Sequence, residues 1–148
     1  MRKQLDHEAL VDFTRRWFEL WTEADRRARS RHVADLWATA GAQVLVDPPQ
    51  AMRDAATELA FPVPRLEVRG HDEIDRRVTR AYELFIEPGE YTFKGTGAGN
   101  AVLLAPALVG LAWEMVTVAN GTVAGSGYDV IALDDDGRIL MDHQHILS

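Results

Sequence analysis

The sequence predicts an α+β domain in which three helices precede or interrupt a mostly antiparallel, strongly bent sheet. Apolar residues recur at helical spacing near the start of the chain and again after Gly70. From Tyr91 onward the pattern changes to β-rich runs. Those runs are separated by turn signals at Asn120-Gly121 and Asp134-Asp135-Asp136-Gly137. At 148 residues the chain has the length of one domain, 1–148, with a single sizeable core.

Leu10, Phe13, Trp17, Leu20 and Trp21 make the first helix amphipathic. Glu23 to Arg31 follows, with Arg26, Arg27, Arg29 and Arg31 interleaved with acids, and reads as a solvated helix connection rather than an anion site. Val33, Leu36 and Trp37 mark a short second helix, with Gly41 as its natural stop. Ala42 to Val46 is a strand, ended by Asp47-Pro48-Pro49. Gln50 to Pro64 is the least regular stretch and could cover a pocket mouth; Glu67 to Gly70 is a short strand or turn. The third helix starts at about His71, carries Ile74, Val78, Ala81, Tyr82 and Phe85 on one face, and ends at Pro88-Gly89.

Tyr91 to Lys94 begins a strand that the glycine-rich run Gly95 to Asn100 interrupts. Leu108 to Ala119 is a long strand, and Asn120-Gly121 suits a type I′ hairpin because both residues tolerate positive φ. Thr122 to Leu133 returns, with Gly125 and Gly127 marking a bulge or a close approach. Arg138 to Leu147 is the final strand.

Composition narrows the function. Hydrophobic residues are 47% and charged residues 26%, a soluble globular balance. A net charge of −7 argues against nucleic acid and against an acidic phospholipid surface. The lack of cysteine excludes disulfides, a thiolate nucleophile and cysteine metal ligands. The N-terminus turns acidic where a secretory signal would turn apolar, and the longest apolar run, Ala101 to Val109, contains Pro106 and is too short to span a membrane. Cytoplasm is the expected compartment.

Two aspartates stand out. Asp47 is either a pocket base or an Asp-Pro turn that caps the strand through its own backbone. Asp129 lies inside the apolar run Tyr128 to Leu133, where a carboxylate must find a partner, face water in a cavity, or stay protonated. Two carboxyls in an apolar setting can be tuned apart as base and acid, with Asp129, in the more apolar surroundings, as the protonated member. His143 and His145 share one strand face with Ile139, Met141 and Leu147, and no further metal ligand joins them, so an interface role is favoured over metal or catalysis. The Gly95 to Gly99 run lacks phosphate-loop spacing, and Asp134 to Gly137 lacks the glutamate of a calcium loop; both read as turns.

The tryptophans Trp17 and Trp21 in helix one, Asp47-Pro48 after the first strand, Gly70 opening helix three and the Gly127-Tyr128-Asp129…Asp136-Gly137-Arg138-Ile139 ending together resemble the nuclear-transport-factor-2-like superfamily, most closely its SnoaL-like branch. The resemblance spans Leu10 to Ile146. It implies an α+β cone: a curved antiparallel sheet wrapped around three helices, with an internal apolar cavity. Leu140, Asp142, Gln144 and Ile146 would face that cavity. The superfamily holds ketosteroid isomerases, polyketide cyclases, dehydratases, epoxide hydrolases and members without chemistry.

Against the ketosteroid isomerases, Asp47 matches the general base, and Asp129, eight residues before Gly137, matches the protonated donor. The position of their helix-one tyrosine is Trp17, whose indole donates but is no acid; Tyr82 or Tyr128 could supply a hydroxyl instead. Epoxide hydrolases use an Asp-Arg-Asp set from neighbouring strands, and the corresponding positions here fall near Trp113, Leu111 and Gln144. SnoaL-type cyclases place an aspartate near Gln144, and Asp142 lies two residues earlier on the same side of the strand. The resemblance thus implies a cofactor-independent acid–base enzyme (isomerase, cyclase or dehydratase) acting on a hydrophobic carbonyl-containing small molecule. Asp47 would be the base and Asp129 the acid or oxyanion donor. Trp17, Trp21, Tyr82, Trp113, Asp142 and Gln144 would contact the substrate, and neither metal nor cofactor is needed. A homodimer through the outer sheet face, near His143 and His145, is expected. The alternative is a non-catalytic binding or dimerisation module of the same fold.

Overall fold

The computed structural model describes residues 5–46, 54–55, 57–59, 66–96 and 101–147. Three long helices, α1 (His7–Thr22), α2 (Arg26–Leu36) and α3 (Gly70–Ala81), pack on one face of a seven-stranded sheet. The strands are β1 (Trp37–Val46), β2 (Leu66–Arg69), β3 (Tyr91–Gly95), β4 (Ala101–Ala105), β5 (Leu108–Thr117), β6 (Val123–Leu133) and β7 (Ile139–Ile146). Their order is β2-β1-β7-β6-β5-β3, and β4 also pairs with β5. The sheet is open and mixed rather than wholly antiparallel, because β7 runs parallel to β1. Most of the chain separates these two strands, so no hairpin fixes their relative direction.

α1 starts at Asp6, whose carboxylate accepts Ala9 N–H at 2.8 Å, and it buries Phe13, Trp17, Leu20 and Trp21 as its spacing predicts. The charged stretch after it is a helix, not a connection. Asp25 caps α2 by accepting Arg27 N–H at 2.8 Å and Ala28 N–H at 3.2 Å. Three of its four arginines are exposed, but Arg29 is buried. Its Nη1 donates to the Glu23 and Ala24 carbonyls at 2.9 and 3.0 Å, satisfying oxygens just past the end of α1, and its guanidinium stacks 4.4 Å above the Tyr82 ring.

α2 stops at Leu36, before the expected glycine, and Trp37 already belongs to β1. Gly41 lies inside that strand, where its pairing with β7 slips between Trp37 and Ala42. A Cβ there would come within 2.6 Å of the Ile139 carbonyl oxygen, so glycine is needed for close backbone approach rather than to stop a helix. In α3, Ile74, Val78 and Ala81 are buried together with Arg77. The helix widens into a π-type turn over Tyr82–Ile86 before Pro88-Gly89.

The core lies between the helices and the inner sheet face and includes Trp17, Leu20, Leu36, Trp37, Leu45, Ile74, Leu111, Ile131 and Ile139. The β5–β6 connection is wider than a two-residue hairpin: Gly121 N–H bonds the Thr117 carbonyl at 2.8 Å, and the Asn120 side chain accepts Thr122 N–H at 3.1 Å. Asp134 Oδ1 accepts Asp136 and Arg138 N–H, each at 2.9 Å, and closes the β6–β7 turn. A register slip between Ala132 and Leu133 turns Ile139 inward in place of Leu140, which is 41% exposed. From Asp142 onward β7 presents Asp142, Gln144 and Ile146 on the predicted side, while His143 is exposed on the other.

Candidate functional site

A cavity of about 190 Å³ lies between α1, α3 and the inner face of the sheet. Trp17, Phe18 and Trp21 come from α1, Arg77 and Ala81 from α3, and Phe85 from the turn after it. The sheet contributes Phe93, Trp113, Met115, Gln144 and Ile146. Aromatic rings fix the walls. Trp17 and Trp21 sit 5.6 Å apart, and Phe93 bridges Phe85 and Trp113 in edge contacts at 6.2 and 5.7 Å. Among the described lining residues Arg77 is the one charged side chain.

Behind this wall lies a buried polar cluster. Asp129 on β6 and Asp142 on β7 are both fully buried. Trp113 Nε1 donates to Asp129 Oδ1 at 2.7 Å, and Gln144 Nε2 donates to Oδ1 and Oδ2 at 3.3 and 3.2 Å. Gln43 Nε2, from β1, donates to Asp142 Oδ2 at 2.9 Å. Arg77 Nη2 donates to Gln144 Oε1 at 3.2 Å, and the guanidinium carbon stands 5.5 Å from the Trp21 ring centre. Register explains the convergence. Asp129 is opposite Gln144, and Asp142 is opposite Gln43, so four alternate-face side chains on three adjacent strands point inward.

The charges follow from burial and donor count. Desolvation raises both carboxyl pKa values. For Asp142, the adjacent Asp129 charge and the hydrogen bond between the two carboxyls add to desolvation, and its pKa lies well above the ordinary range. The same hydrogen bond, with those from Trp113 and Gln144 and the field of Arg77, partly offsets burial at Asp129. The two carboxyls titrate as a coupled pair that retains a proton above the ordinary carboxylate range, with Asp142 the more strongly raised. Burial lowers Arg77 to about 10, with both aspartates opposing the fall, so it is a cation at neutral pH.

Among the described residues Asp129 is coupled to Asp142, which has the more strongly raised pKa, while Asp129 has the larger set of donors. Asp47 lies outside the described residues. Trp17, Trp21, Trp113 and Gln144 line the cavity; Asp129 and Asp142 sit behind it. Tyr82 is not in the wall. Arg77, Ala81 and Phe85 follow one another at four-residue spacing along the cavity, whereas Tyr82 falls on the neighbouring row and supports Arg29. Two polar residues were missed. Arg77 sits within the stripe Ile74–Val78–Ala81, and an arginine at that spacing was the available signal; Gln43 interrupts an apolar strand in the same way. Asp129, Arg77 and Asp142 do form a two-aspartate, one-arginine set, but the arginine comes from a helix and neither carboxyl reaches the cavity.

Neither a family model nor a curated protein matches the sequence. Solved structures do. A proposed isomerase of the SnoaL-like family from Agrobacterium tumefaciens superposes with TM-score 0.70 at 20% identity, covering 94% of this chain and 97% of that one. A SnoaL-like protein of unknown function from Burkholderia thailandensis gives 0.66 at 14%, covering 97% and 99%. A chain named Rd1NTF2_04 with long sheet gives 0.57 at 10%, covering 91% and 98%. The chain has the nuclear-transport-factor-2-like fold in its SnoaL-like form. At these identities the likeness establishes the fold, and the chemistry of this chain has to come from its own site.

Proposed function

We propose that this protein is a cofactor-independent acid–base enzyme of the isomerase, cyclase or dehydratase kind, taking a hydrophobic carbonyl compound into the cavity. One observation carries the reading: an aromatic-walled cavity meets a single buried guanidinium, Arg77, beside the Gln144 amide. A carbonyl oxygen directed at Arg77 gains negative charge as a neighbouring C–H proton leaves. A fixed cation in a water-poor site stabilises that charge more in the transition state than in the ground state. Asp129 and Asp142 act here as positioning groups, holding Gln144 and balancing Arg77 from behind the wall. The proton-abstracting base is assigned to Asp47, on the resemblance to the ketosteroid isomerases alone.

The test is proton exchange. A panel of apolar ketones is incubated with the protein in D2O, and loss of the α-proton signals is followed by NMR. Exchange above the buffer rate is expected, abolished by Asp47→Asn and reduced about 10²-fold by Arg77→Met. Ketones that bind without exchange would assign the cavity to a non-catalytic binding module instead.

A further inference from the structure

We infer that the ligand of the cavity is an anion, a hydrophobic carboxylate whose headgroup pairs with Arg77 while its body lies against Trp17, Trp21, Phe85 and Phe93. The inference rests on the proposed function only in taking the cavity as the ligand site, and it does not require turnover. Arg77 is 7% exposed, yet among the described residues no carboxylate lies within ion-pair distance of it. Its Nη2 is held by a neutral amide, and its Nε has no partner. A buried arginine is normally met by an acid in direct contact, because taking a guanidinium out of water is costly. Here the Asp129 carboxyl accepts from Trp113 Nε1 and from the Gln144 amide, and that amide stands between it and Arg77.

The described residues that line the cavity with Arg77 are mostly apolar and aromatic, and its guanidinium carbon stands 5.5 Å from the Trp21 ring centre. The cation is thus held in place from one side, and among the described residues no direct counter-charge meets it on the side of the cavity. A carboxylate fits the planar guanidinium fork better than a neutral carbonyl, and the charge-assisted contact is the stronger one. Gln144 cannot meet a ligand oxygen as freely, since its Nε2 is already directed at both oxygens of Asp129.

A matched pair of probes tests this. trans-Cinnamate and trans-cinnamamide share shape and differ in charge, and calorimetric titration at pH 7.5 compares them on the same protein. Cinnamate should bind at least about tenfold more tightly than the amide. Arg77→Met should remove the preference by weakening cinnamate far more than the amide, and Arg77→Lys should retain part of it. Should Arg77→Met not fold, the wild-type comparison and Arg77→Lys still decide. Equal affinity, tighter amide binding, or no binding of either probe overturns the inference. Cinnamate binding without ketone exchange would instead leave this inference standing and remove the enzyme. Ketone exchange that cinnamate does not inhibit would remove this inference and leave the enzyme.

Discussion

Asp129 on β6 and Gln144 on β7 stand directly opposite one another, and the Gln144 amide joins both oxygens of Asp129 on one side to Arg77 on the other. A neutral side chain therefore links a buried carboxyl to a buried cation that are not in direct contact. The amide suits this place because it donates at one end and accepts at the other.

Gln144→Leu should destabilise the protein by about 2–4 kcal/mol, because it keeps the volume and strips partners from two buried charged groups. Urea denaturation measures the loss. A change under about 1 kcal/mol would mean that Asp129 and Arg77 are held by other contacts.

Trp113 and Gly127 are cross-strand partners, and a Cβ on Gly127 would overlap the indole ring. The missing side chain lets Trp113 lie across β6 and reach Asp129 with Nε1. Gly127→Ala should cost about 1–3 kcal/mol through overpacking and shift the tryptophan fluorescence. In a Trp113→Phe background the same change should cost at least about 1 kcal/mol less, since the two positions are in contact. Equal costs in both backgrounds would place the strain elsewhere.

Helical spacing and turn chemistry made the helices and the later strands legible, because those signals are local. The parallel meeting of β1 and β7 was not, because no short segment encodes a pairing between chain ends. The site divides in the same way. Trp17, Trp21 and Trp113 could be read as walls from their type and their resemblance to the fold. Arg77 could not be separated from an arginine that snorkels to the surface, because the partner that holds it, Gln144, lies 67 residues away. Asp142 passed for a secondary contact because its proximity to Asp129 depends on strand order.

The outer face of β6 and β7 carries Val130, Ala132 and Met141 half-exposed around His143. A monomer would leave this mixed apolar surface in water, and a homodimer through it is the expected assembly. Sedimentation velocity at tens of micromolar should show a dimer, and Met141→Asp should weaken it by at least about tenfold with the far-UV circular dichroism unchanged. A wild-type monomer at that concentration would sink the assembly.

The carboxyl pair sets a pH dependence whose sign is fixed by burial. Asp129 and Asp142 both have raised pKa values in the folded state, Asp142 the more so. Above the ordinary carboxylate range near ~4, the folded protein then holds protons that the unfolded chain has released. Stability must fall as pH rises, by up to ~1.4 kcal/mol per pH unit for each proton retained. This contribution is whole below about pH 4 and is lost as pH climbs through the raised folded values. Glu23, lowered chiefly by the Asp25 backbone N–H, works in the opposite sense, so the wild-type profile alone is a sum. Asp142→Asn isolates the pair. Its amide nitrogen can donate to Asp129 as the protonated carboxyl does, and its oxygen can still accept from Gln43. The variant should therefore gain stability relative to wild type steadily from pH 4 to pH 8, read from urea midpoints at each pH. Parallel curves for the two proteins would mean that Asp142 is ionised in the folded state, and the shared proton would have to be abandoned.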